Sequence, residues 1–128
     1  MTQEQIIAGN KAIAEFMGWR FIKWCGQEYE DKIPMYQRFE NNELVHPGIF
    51  HLPQFQDTWN ILMPVVEKIE ALDQVSCMDC RVKLERKYCA IYYDMGIESY
   101  EFSKTGISKI DAVWQSVVSF ITWYNEQK

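Results

Sequence analysis

The chain has 128 residues, 48% of them apolar and 24% charged, the balance of an ordinary globular protein, which excludes intrinsic disorder, collagen-like repeats and a membrane-spanning architecture. Surface scaling gives roughly 7,000 Å² folded against about 22,000 Å² unfolded, so about two-thirds of the chain's surface is buried without help from disulfides or a structural metal. Thirteen basic against eighteen acidic residues leave a net charge of −5, with −3 on residues 1–64 and −2 on 65–128; no basic field exists to neutralise phosphates, and nucleic acid is not an expected partner.

The first element is a helix over 3–17. Thr2 followed by Gln5 makes a capping box, Ile6, Ile7, Ile13, Ala14 and Met17 recur at helical spacing, and Gly18 supplies a left-handed stop. MTQEQIIAGNKAIAEF holds no basic leader before an apolar run, and no stretch approaches the ~18 apolar residues of a membrane helix. The expectation is a cytoplasmic protein with no membrane partner and with Cys25, Cys77, Cys80 and Cys89 reduced.

Residues 18–57 hold Pro34, Pro47 and Pro53 and an Asn41-Asn42 turn signal, with no sustained period. Trp19 to Trp24 alternates loosely and Met35 to Phe39 reads as a short strand. A forty-residue stretch without structure is foreign to a compact domain, so one or two short strands are expected there. Its aromatic density makes it a packed flap or insert within a single domain spanning 1–128, not a linker.

A second helix follows, capped by Asp57 or Thr58, with Trp59, Leu62, Met63, Val66, Ile69 and Leu72 in one stripe. Pro64 either kinks its first turns or delays the regular helix to about Met63. The period then drops to two. Val82 and Leu84 alternate with Arg81, Lys83 and Glu85; Cys89, Ile91 and Tyr93 alternate with Tyr88, Ala90 and Tyr92; a third strand is expected from Ile97 to Phe102. Turns at Arg86-Lys87 and Asp94-Met95-Gly96 make these an antiparallel meander. Gly106, Ser108 and Asp111 then start a last helix whose Ile110, Val113, Trp114, Val117, Val118, Ile121 and Tyr124 form a broad apolar face. The fold class is α+β, a small α/β/α sandwich with a three-stranded or slightly larger antiparallel sheet and three helices.

Few residues point to chemistry. Cys77 and Cys80 form the one C-x-x-C, but it precedes a strand and so lacks the helix N-terminus that lowers a thiol's pKa in redox motifs. Cys89 could approach them across the hairpin as a weak zinc set, with small buried thiols the plainer reading. His46 and His51 lie beside prolines with no carboxylate fixed near them. Nucleophile elbows and phosphate-cradling glycine loops are missing from the sequence, and no cofactor is implied. Arg81, Lys83, Arg86 and Lys87 read either as a charge-defended strand edge or as an anion site. Trp114, Phe120, Trp123 and Tyr124 spread over more than one face of the last helix, which is explained by a protein interface or by cover from the 18–57 segment.

Three stretches, AEFMGW at 14–19, WNILMPVVEKIE at 59–70 and SKIDAVWQSVVSFITWYN at 108–125, together resemble the phage ABA sandwich domain family of small phage and gut-bacterial proteins. The resemblance covers under a third of the chain and rests on helix-packing positions, so it implies an α/β/α sandwich and a phage or mobile-element origin, not a chemistry. The long aromatic segment between the first two helices departs from it. The leading functional expectation is a non-enzymatic accessory or interaction protein that self-associates or binds a protein partner. The alternative is a protein that binds or sequesters a small ligand, anionic or nucleotide-like, in a pocket lined by Trp19, Trp24, Tyr36, Arg81, Lys83 and Arg86. A zinc- or cysteine-dependent enzyme is the third.

Overall fold

The computed structural model describes residues 2–25, 33–40, 43–44, 50–51, 53–74, 77 and 79–127, and for 21–25, 33–34, 40, 43–44, 50–51 and 73–74 the backbone alone. The chain divides into two compact units, residues 1–54 and 55–128.

The first unit opens with α1 (Gln3–Phe16). Thr2 Oγ1 accepts from the Gln5 N–H at 3.1 Å while Gln5 Oε1 accepts from the Thr2 N–H at 2.9 Å, the reciprocal capping box that the sequence spells out. The helix stops at Gly18, whose φ is +92° and whose carbonyl accepts from the Phe39 N–H at 2.7 Å. That bond ties the helix exit to the sheet that follows. β1 (Trp19–Cys25) and β2 (Ile33–Glu40) pair antiparallel, and the two-residue strands β3 (Glu43–Leu44) and β4 (Phe50–His51) both add to β2. Residues 19–24 and 35–39 do lie in strands, but the segment holds more sheet than the one or two short strands expected. A register shift between Phe21 and Lys23 explains why β1 looked only loosely alternating: the bulge breaks the two-residue period in mid-strand. Asn41-Asn42, His46 and Pro47 lie outside the described residues.

In the second unit α2 spans Trp59–Glu70 and runs on into a 3₁₀ turn at Ala71–Gln74. Pro64 is inside the helix and does not delay it. Its missing N–H would have met the Asn60 carbonyl, and both residues are exposed. Thr58 occupies the N-cap through its backbone, its carbonyl accepting from the Leu62 N–H at 3.2 Å, with no side-chain cap bond. Of the expected stripe, Leu62, Val66 and Ile69 are buried in the helix and Trp59 and Met63 are half-buried; Val65, which the stripe left out, is buried as well.

The meander is β5 (Asp79–Glu85), β6 (Tyr88–Asp94) and β7 (Ser99–Thr105), antiparallel in that order and in register along all seven residues of each pair. The third strand starts two residues later than the sequence indicates. Asp94 Oδ1 accepts from the Gly96 N–H at 2.8 Å and the Ser99 hydroxyl at 3.3 Å, holding the turn beyond Ile97, which is 95% exposed.

The last helix, α3 (Lys109–Glu126), begins as its signals predict. Ser108 Oγ accepts from the Asp111 N–H, and Asp111 Oδ2 accepts from the Ile107 N–H and the Gln115 amide, each at 2.9 Å. α3 lies over β6 and β7, α2 lies by β5, and the two helices touch, so both sit on one face of the sheet. The α+β class, the three-stranded antiparallel sheet and the three helices are as expected, with the sheet of the first unit added. In this unit the helices pack on one face of the sheet, and the other face of β5–β6–β7 carries Arg81, Lys83, Glu85, Glu101, Ser103 and Thr105, all exposed.

Candidate functional site

The strand period assigns the two faces of the β5–β6–β7 sheet. Cys80, Val82 and Leu84 stand in register with Tyr93, Ile91 and Cys89, and these with Tyr100, Phe102 and Lys104. Phe102 and Tyr93 pack on Phe120 of α3, with ring centroids 5.5 and 5.7 Å away, so these rows face the helices. The intervening rows are Asp79–Asp94–Ser99, Arg81–Tyr92–Glu101, Lys83–Ala90–Ser103 and Glu85–Tyr88–Thr105. They form an open surface with two half-buried tyrosines in its central strand.

The charges on that surface are matched locally. Arg81 Nε is 2.8 Å from Asp79 Oδ2, and Lys83 Nζ is 3.5 Å from Glu85 Oε1. The Arg81 guanidinium also stands 5.9 Å from the centre of the Tyr92 ring. Two shallow depressions flank the rows. One, of about 310 Å³, is lined in part by Arg81, Tyr92, Asp94 and Glu101. The other, of about 450 Å³, lies at the hairpin end among Glu85, Arg86, Lys87, Tyr88 and Thr105. Burial, with Glu101 nearby, pushes the Tyr92 phenol up, so it is a neutral hydrogen-bonding group at physiological pH.

The residues singled out for a ligand are divided between the two units. Trp19 opens β1 half-buried and Tyr36 is buried in β2, both in the first unit; Trp24 pairs with Pro34 and its side chain is outside the described set. Arg81 and Lys83 share the open face of the second unit, and Arg86 sits in the β5–β6 turn with φ +44°. Of the four basic residues near that hairpin, two already have a carboxylate on the same strand, which favours the charge-defended edge over a shared anion site.

The interface candidates need correction. Trp114 and Phe120 are 2% and 0% exposed, so neither presents a surface. The broad apolar face of α3 is wide because it meets both the sheet and α2. Trp123 and Tyr124 are half-buried. Trp123 packs on Tyr100 and Phe102 of β7 with centroids 4.6 and 5.2 Å away, and Tyr124 stacks on Phe120 at 5.7 Å.

Cys77, Cys80 and Cys89 form no disulfide. Cys80 pairs with Tyr93 and Cys89 with Leu84, four positions along the same hairpin, or about 13 Å at ~3.4 Å per residue; one metal ion cannot join them. No group of three or more His, Cys, Asp or Glu is placed to hold a metal among the described residues. Burial pushes the Cys89 thiol up, partly opposed by Ser116, which keeps it a thiol and a poor nucleophile. His46 and the His51 side chain, like that of Cys25, fall outside the described set.

Sequence reasoning passed over the open face itself, with Tyr88, Tyr92 and Glu101, and the outer edge of β7. The signal was thin: in β6, apolar residues occupy both alternating sets, so the strand reads as buried on both sides. Comparison of the chain with protein-family models, with curated proteins and with solved structures gives no match in any of the three.

Proposed function

We propose that this is a cytoplasmic, non-catalytic accessory protein of phage or mobile-element origin that acts by association, first with copies of itself. The origin rests on the resemblance of residues 14–19, 59–70 and 108–125 to the phage ABA sandwich domain. The observation that carries the association reading is the sheet of the second unit, covered by helices on one face and open on the other. Its open rows combine half-buried tyrosines with locally matched charges, the mixture of aromatic anchors and polar surroundings found in protein interfaces.

Sedimentation velocity from micromolar to near-millimolar concentration tests the reading. A reversible shift from monomer to dimer is expected. A single monomer boundary throughout would overturn self-association.

A further inference from the structure

The sheet order β5–β6–β7 leaves two edges, and no described strand pairs with the outer side of either. Their sequences treat a second copy in opposite ways. Full-length antiparallel pairing of β5 with another β5 sets Asp79 opposite Glu85 and Arg81 opposite Lys83, like charges at every charged position, and such pairs repel. The same pairing of β7 sets Ser99 opposite Thr105, Tyr100 opposite Lys104, Glu101 opposite Ser103 and Phe102 opposite itself. No like charges meet there. β7 is seven residues long, regular against β6 and free of proline, and its one lysine, Lys104, stands opposite Tyr100 in this pairing.

We infer that β7 is an assembly edge at which two copies of the chain pair antiparallel about Phe102, joining their sheets into one of six strands. The helix layer is compatible with this. With strands ~4.8 Å apart and α3 lying over β6 and β7, the two α3 helices come to about 10 Å from each other, the distance of packed helices. The flank of α3 over β7 carries Trp123, seated on Tyr100 and Phe102, and Ser119 one turn earlier. Trp123, Tyr100 and Phe102 are each only half-buried, and a second copy covers what they leave exposed. This inference rests on the self-association reading and places the contact at an edge of that sheet, beside its open face.

Two opposite charges at one exposed position test it. Ser103 faces Ala90 within the sheet and Glu101 of the second copy in the proposed pairing. Ser103→Lys places two new attractive pairs across the two-fold axis and Ser103→Glu two repulsive ones. The expected result by sedimentation is about a tenfold tighter dimer for Ser103→Lys and about a tenfold weaker one for Ser103→Glu, with unchanged circular dichroism. If Ser103→Glu fails to fold, Ser103→Lys still decides. A dimer indifferent to both variants would overturn the β7 edge and leave self-association standing. A wild type that stays monomeric would overturn both.

Discussion

Gly18 answers two demands at one position. Its φ of +92° is one that side chains resist, and a Cβ there would lie 2.0 Å from the Phe39 carbonyl oxygen. Gly18→Ala is expected to cost at least about 2 kcal/mol, read by urea unfolding, because the helix exit must move away from β2 to relieve it. Trp114→Ala and Phe120→Ala are expected to cost about 3–5 kcal/mol each by the same measurement, as cavities in the core. Neither is expected to act through the oligomeric state while leaving stability alone. Tyr36 is buried in β2, and its phenol is pushed up by that burial and by Glu15. The folded state therefore holds this proton more tightly than the unfolded chain. The stability it contributes is full below the unfolded value near pH 10 and is lost as pH rises through the folded one. Tyr36→Phe should flatten the alkaline fall of the melting temperature; an unchanged slope would show that the proton is not linked to folding.

At the scale of the element, a buried polar contact helps fix α3 to the sheet besides its apolar face. The Ser116 hydroxyl donates to the Cys89 carbonyl at 2.9 Å, and Ser116 is fully buried. Ser116→Ala is expected to cost about 1–2 kcal/mol in chemical denaturation, since it leaves a buried carbonyl short of a partner. A cost near zero would mean the contact adds nothing to helix docking. The helices were legible in the sequence because their ends are chemical: Thr2 with Gln5, Gly18, and Ser108 with Asp111 each make the bonds their types suggest. The β5–β6 hairpin was legible because polar and apolar residues alternate cleanly in β5. β1 was blurred by the bulge between Phe21 and Lys23, and the start of β7 by Asp94, whose side chain extends the turn past an exposed isoleucine. The candidate surface was less legible than the fold. Periodicity shows which residues share a face, and Trp114 and Phe120 could be assigned to core or interface only once the cover over α3 was known.

Over the molecule as a whole, two compact units each have their own sheet. In the second, one face is closed by α2 and α3, and the other stays open, with a charge pattern that rejects one edge and admits a second copy at the other. A pairing edge needs no enclosed pocket, only backbone groups that a second strand can satisfy. The most direct test is amide hydrogen exchange, resolved by segment, in dilute and in concentrated solution. Slower exchange confined to the 99–105 segment and the flank of α3 at high concentration is the expected result. Exchange in that segment independent of concentration, or protection gained elsewhere instead, would contradict assembly through β7.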